Sequence, residues 1–283
     1  MKQFASFLFF LLLILFPKIC VEGARQGLIL WGLTLVPTLL PFFIATKSIL
    51  QWNIPKKLLF PYLLFVGYFC GYPTGASVIN QLYQANIFHK KQSELLICFC
   101  NHTSPAFLIS FVYYTYLKPN HSIIFFLLPI YFAAFFWCLI FYLGFHCPSL
   151  SPKASEHTAN TFTQQSLEEI FLDSVVTIIK IGCFMIIFSI LIQISFHLTS
   201  NISENGSLIA CFLEVTTGVN HIATSSLPPQ LKIALIGALC SFGGYCSIAQ
   251  VQSVLSKELT ITPYIFFKIC TGATTFFLLY LAA

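Results

Sequence analysis

Apolar runs of about 18 residues or more recur from one end of this chain to the other, each long enough to cross a hydrocarbon core of about 30 Å. No other feature narrows the fold so far. Of 283 residues, 57% are hydrophobic, 17% aromatic and only 8% charged, with mean hydropathy +0.84. That is too little charge to dress the surface of a soluble domain. The formal net charge of +5 is modest and reads as loop lysines facing the cytoplasm, with no nucleic-acid surface. The fold class is therefore an all-α polytopic membrane protein.

The runs have an order. Residues 1–26 read as an N-terminal transmembrane or signal-anchor segment: Lys2, a short apolar core, then small residues, so that 1–24 could be removed as a signal peptide. Apolar spans follow at 27–46, 93–116 and 121–146, with an interrupted one at 59–88. The longest polar stretch separates these from spans at 169–198, 234–255 and 262–281 and a second interrupted one at 208–227. Helix, broken segment, helix, helix is thus written twice. It divides the chain into a first repeat at 27–146, a polar cytoplasmic linker at 147–168 and a second repeat at 169–283. Local sequence agrees, since "LVPTLLPFFI" and "SVVTIIKIGCF" align Val36 with Val175, Thr38 with Thr177 and Pro41 with Lys180.

The interruptions decide the topology. In "FCGYPTGASVINQ", residues 69–81, glycine and proline break a segment that should continue as a membrane helix. Such backbone survives at membrane depth only when buried in protein or lining a cavity. If 59–88 and 208–227 are re-entrant hairpins that return to the side they entered from, one face collects Lys2, Lys47, Lys56, Lys57, Lys90, Lys91, Lys153 and Lys257. The opposite face collects Lys18, Arg25, Lys118 and Lys232. Lysine and arginine favour the cytoplasmic face, so the N-terminus is expected inside and the C-terminus outside. The two halves then have opposite topology, an inverted repeat of helix, re-entrant hairpin, broken helix and helix. Secondary transporters built this way bind substrate at the midplane.

Four polar, helix-breaking clusters fall where such a site would lie: "GYPTGAS" (71–77), "NHTSPAF" (101–107), "LEVTTGVNH" (213–221) and "SFGGYCSIAQVQ" (241–252). Each frees backbone groups and adds hydroxyl or amide side chains. Half-helix N-termini aimed at the midplane favour an anion, and C-termini a cation. The plain alternative for any one cluster is a kink satisfied by a neighbouring helix. Two ionisable residues stand in apolar surroundings, Glu214 and Lys180, and intramembrane charges are functional candidates by default. The alternatives are snorkelling for Lys180 and an exposed hairpin end for Glu214. Lys268, near a helix start, reads as a snorkeller. His102 is either protonatable within the site or simply bonded to a carbonyl. Cys98, Cys100 and His102 have strand-like spacing on a helix, so no metal site is expected. Nor does the sequence carry a P-loop, G-x-S-x-G, HExxH or Rossmann motif, and neither a cofactor nor an enzymatic activity is expected.

Taken in order, "VPTLLPFF", "GYPTGAS", "NHTSPAFLI", "LEVTTGVN" and "FGGYCSIAQVQ" resemble the YlbJ-type sporulation integral membrane proteins, of the nucleoside-recognition (Gate) domain superfamily. The resemblance runs from about residue 27 to the C-terminus, with "GYPTGA" and "FGGYCSIAQVQ" its specific parts. The last cluster is also similar to the "F-x-N-x-S-S-I" helix of concentrative nucleoside transporters, though it lacks the Asn. The resemblance implies transport of a small organic molecule, which in the sporulation branch is dipicolinate crossing the membrane around the forespore, and it implies a homo-oligomer. It further implies that the hairpins contribute Tyr72, Pro73, Thr74 and Gly75, then Glu214, Thr216, Thr217 and Gly218. The broken helices would contribute Asn101, Thr103 and Ser104, then Gly244, Tyr245, Ser247 and Gln250.

The expectation is a multi-pass carrier in the cell membrane, handling a small anion, with lipid and substrate as its partners. Lys180 would pair with a substrate carboxylate. Glu214 would bind a coupling proton or sodium ion, or hold the second hairpin. Two alternatives remain open. In one, the same fold takes a nucleoside, read by Gln250, Asn101 and Thr74 with Tyr245 stacking. In the other, a membrane subunit gates or scaffolds a partner and leaves the clusters packed without a cavity.

Overall fold

The computed structural model describes residues 2–50, 55–117, 122–144, 166–199 and 204–283. Lys118, Lys153, most of the polar linker and the loop at 200–203 lie outside them. All regular elements among the described residues are helical. Among the described residues, five helices are long and apolar enough to cross a membrane: Pro17–Ile49, Ile123–Gly144, Leu167–Leu198, Pro229–Val254 and Thr262–Ala282. This is an all-α polytopic membrane protein.

The first half comprises α1 (Lys2–Leu15) and a long helix built from α2 (Pro17–Leu30), a π-helical turn (Trp31–Leu35) and α3 (Val36–Leu50). The helical hairpin α4 (Lys56–Phe69) and α5 (Thr74–Gln84) follows. Next comes a broken helix, α6 (Lys90–Phe99), then an irregular stretch, then α7 (Pro105–Phe107) running into a π-helical segment (Leu108–Leu117). The half closes with α8 (Ile123–Gly144). The second half consists of α9 (Leu167–Thr199), the hairpin α10 (Glu204–Cys211) and α11 (Val215–Thr224), the broken helix α12 (Pro229–Phe242) and α13 (Gly244–Val254), and α14 (Thr262–Ala282).

The N-terminal segment differs from the sequence expectation. Helix α1 has 14 residues, about 21 Å at 1.5 Å per residue, short of a full crossing. The long helix begins at Pro17, a favoured first helical position, ten residues before the apolar run at 27. Residues 17–26 are too polar to show in hydropathy. Gly23 and Gly27 place the α2 backbone against the backbone of Ile190 and Ile186 on α9, and Gln193 bonds Gln26 at 2.7 Å. Close packing extends the helix where composition does not.

Corresponding helices of the two halves lie antiparallel. Residues 23, 27 and 31 of the first long helix meet 190, 186 and 182 of α9, and Lys47 pairs with Asp173 at 2.6 Å. Trp31 covers Gly182 and donates to the Ile178 carbonyl at 2.9 Å. Likewise α8 runs against α14, with Trp137 donating to Thr274 at 2.8 Å and Phe141 stacked on Phe266 and edge-on to Phe267. The broken helices also run opposite ways. Glu94 at the start of α6 accepts from Thr260 beyond α13, and the far end of the first broken helix lies beside α11 and α12.

Each hairpin tip is held by the break of its own half. The Gly67 carbonyl accepts from His102 N at 3.4 Å, and Asn101 Oδ1 accepts from Ala76 N at 2.9 Å. In the second half, Phe212 and Leu213 carbonyls accept from Tyr245 N at 3.0 Å and Cys246 N at 2.8 Å. Backbone released by one break is thereby satisfied by the neighbouring one.

This contact demands glycine. A methyl group at Gly75 would overlap the Cys100 carbonyl oxygen, whereas Gly32 faces open space. Gly75→Ala is therefore expected to lower stability by about 1–3 kcal/mol and Gly32→Ala to leave it unchanged. Thermal unfolding of the purified protein in detergent measures both.

Candidate functional site

A single cavity gathers all four polar clusters. Its lining includes Gly71 and Tyr72 from the first hairpin turn, Thr103 and Ser104 from the first helix break, Glu214 and Thr216 from the second hairpin, and Gly243, Ser247 and Gln250 from the second break. Leu35 at the end of the π-helical turn, Leu39 of α3, Phe107, and Ile181 and Met185 of α9 supply an apolar side. The enclosed space is narrow, about 40 Å³, room for a few water molecules in this arrangement.

Each predicted residue has a definite place. Glu214, only 3% exposed, caps α11: its two carboxylate oxygens accept from Thr216 N at 2.8 Å and Thr217 N at 2.7 Å. This fills the anion-favouring N-terminus of α11 with the protein's own carboxylate. Ser104 accepts from Phe107 N at 3.3 Å and so starts the second part of its helix. Thr103 donates to the Cys240 carbonyl, tying the first break to the end of α12. Ser247 donates to the Gly244 carbonyl at 2.9 Å. Gln250 donates weakly to Cys246 Sγ, and its Oε1 has no protein partner.

Other predicted residues support this lining without joining it. Asn101 is spent on structure: Oδ1 holds Ala76 N, and Nδ2 donates to the Ile97 carbonyl at 2.8 Å. Thr217 shares a hydrogen bond of 3.0 Å with Ser189 of α9. Gly75 and Gly218 allow the close approach of Cys100 and Cys211 carbonyls. Pro73 precedes α5, and the buried Thr74 Oγ1 has no protein partner. Gly243 and Gly244 adopt φ of 84° and 75°, a left-handed pair that only glycine takes without strain and that turns the chain between α12 and α13.

Two residues are not brought to the cavity. Lys180 is exposed on the outer face of α9 and absent from the lining, although the next residue, Ile181, lies on the inside. The helical step of about 100° per residue turns the two apart. Tyr245 is 52% exposed, with its ring on Phe242, and borders a separate apolar groove with Leu208, Phe212 and Phe276. Lys268, which the sequence suggested as a snorkeller, is instead fully buried at 0% exposure. A helix start does not reveal depth when another element covers it.

The apolar lining from Leu35, Leu39, Ile181 and Met185 was not apparent from sequence, because apolar residues in apolar helices carry no distinguishing signal. His102 is buried and stacks against Tyr68 at 4.5 Å, with Nε2 lacking a protein partner. Among the described residues no group of His, Cys, Asp or Glu side chains could hold a metal ion, and the described cysteines are free thiols.

The chain is 24% identical to the sporulation integral membrane protein YlbJ of Bacillus subtilis (strain 168), over 95% of this chain and 79% of that protein. The YlbJ-type resemblance stands. It extends over nearly the whole chain, hairpins and breaks included. No family model matches the chain, and no solved structure matches it. This is a membrane protein related to a sporulation integral membrane protein.

The cap at Glu214 sets a testable ranking. Glu214→Ala removes both acceptors from buried N–H groups and is expected to cost about 1–3 kcal/mol. Glu214→Gln keeps one acceptor oxygen and should cost less. Thermal unfolding of the two variants side by side checks the order.

Proposed function

We propose that this chain is a secondary carrier of a small organic anion, a dicarboxylate of the dipicolinate kind, moved across the cell membrane or the membrane around a forespore. One observation carries the reading: two hairpin turns and two helix breaks, far apart in sequence, line one cavity. A purely structural kink needs only its own neighbour, and a scaffold would leave no such space. The polar atoms there are suited to a ligand, because Gln250 Oε1 is buried without a protein partner and unmet polar groups in a low-dielectric site are costly.

The antiparallel pairing of α2–α3 with α9 and of α8 with α14 supports an inverted repeat with divisions near 27–146 and 169–283. Under that reading α4–α5 and α10–α11 are re-entrant from opposite sides. Tyr83 at the end of α5 bonds Glu258 at 2.7 Å, and Asn220 in α11 bonds Tyr116 at 2.9 Å, so the hairpin bases sit at opposite ends of the bundle. Lys90, Lys91 and Lys257 mark the first end as cytoplasmic, with the C-terminus outside. Glu214 is the candidate carrier of a coupling proton or sodium ion, since each carboxylate oxygen keeps a lone pair beyond its bond to the backbone. A homo-oligomer remains part of the proposal by family resemblance alone.

A nucleoside is the second reading. It is favoured by a lining in which the amide of Gln250 and the hydroxyls of Thr216 and Ser247 surround Glu214 with no cation among them.

Proteoliposomes loaded with purified protein test the function directly. Uptake of dipicolinate and related dicarboxylates is expected, and uptake of uridine alone would favour the nucleoside. Uptake of neither would end the carrier reading. Lys180→Met should transport at the normal rate, because its side chain lies outside the cavity. Single cysteines introduced at 91 and 230 should be labelled from opposite sides of the membrane. Labelling from the same side would remove the inverted repeat.

A further inference from the structure

The proposed anion needs a cation, and no lining residue supplies one. Lys268 lies just behind the wall. It sits on the second turn of α14 with 0% exposure, and makes no ion pair with any described carboxylate. Its Nζ has one long contact, 3.5 Å to the Asn101 carbonyl, and lies 6.0 Å from the Tyr72 ring centre and 5.9 Å from that of Tyr264. His102, Cys98 and Cys240 are the other titratable groups around it. An ammonium offers three donors, and here a single marginal acceptor meets them.

Burying a lone charge is costly, and such groups persist in membrane proteins where function requires them. The position explains the requirement. Tyr72 belongs to the cavity lining, and its ring centre lies 6.0 Å from Lys268 Nζ. The ring is flanked by Gly243, where even a methyl group would come within 3.2 Å of Tyr72 Cε1. The turn before it is set by Gly71 at φ 71°. One residue, Tyr72, thus touches both the polar cavity and the buried Lys268 amine.

Resting on the carrier reading, we infer that Lys268 is the residue that selects an anionic substrate: a carboxylate entering the cavity displaces the Tyr72 side chain and pairs with the Lys268 ammonium. Glu214 on another wall opposes a second negative charge, so anion entry is favoured when Glu214 carries its proton or cation. The Asn101 carbonyl and the tyrosine faces hold the lysine in place between cycles.

The competing account makes Lys268 a staple for the carbonyls at the end of α6. Stability separates the two. Lys268→Met deletes a buried lone charge and keeps the apolar stem, so its unfolding temperature should stay level or rise. Dipicolinate binding in nanodiscs should fall at least about a hundredfold, and Lys268→Arg should retain part of it. Should Lys268→Met fail to fold, Lys268→Gln, which keeps a donor for Asn101, must show the same loss. If wild-type protein binds dipicolinate and the Met or Gln variant binds it equally well, Lys268 does not select the anion and the carrier reading survives. If wild-type protein neither binds nor transports dipicolinate, the anion reading itself falls, and the role of Lys268 falls with it.

Discussion

Backbone groups freed by a helix break inside an apolar layer have no water to bond, and the architecture follows from how they are met. Carbonyls at the hairpin tips accept from amides at the breaks: Gly67 from His102, Phe212 from Tyr245, and Leu213 from Cys246. Each interruption is tolerable only because a second lies against it. A side chain at 75 would push hairpin and break apart, and one at 218 would part the two arms of the second hairpin, since carbonyl oxygens of Cys100 and Cys211 occupy the space it would need. The polar cavity sits where the four irregular segments meet. Its location is a consequence of backbone hydrogen bonding before any ligand is considered.

Charge is then distributed sparingly around that centre. Glu214 is hydrogen-bonded in place by two amides of its own helix, a compact solution available to a carboxylate at a helix start. Lys268 has no equivalent, because α14 passes through its position as an uninterrupted helix with no free carbonyls of its own. It borrows one from Asn101. The two groups therefore differ in how completely the protein satisfies them. A well-bonded carboxylate and an under-bonded lysine amine thus stand close to the same cavity.

Much of the chain is legible without coordinates. The order of elements, the two hairpins, the two breaks at 100–104 and 243, and the helix ends fall within a few residues of the sequence reading, apart from the start of the first long helix. Hydropathy and glycine–proline punctuation carry this information, because a bilayer penalises unmet backbone so heavily that breaks must be marked in the residues themselves. Among the candidate site residues, Tyr72, Thr103, Ser104, Glu214, Thr216, Ser247 and Gln250 do line the cavity. Pro73, Thr74, Gly75, Asn101, Thr217, Gly218 and Gly244 stand behind them in supporting positions.

The sequence by itself determined that this is a helical membrane protein, where its helices break, and which polar clusters are available. Those are local properties, set by apolar length and by residues that cannot continue a helix. Only the tertiary structure decided which face of each helix looks inward. Lys180 and Ile181 are adjacent in sequence, yet one is exposed and the other lines the cavity. Lys268 resembles an interfacial lysine until α6, α12 and the first hairpin turn are packed over it. In a chain apolar on every side, periodicity cannot distinguish lipid from protein, so the orientation of a lone charge is settled by packing alone.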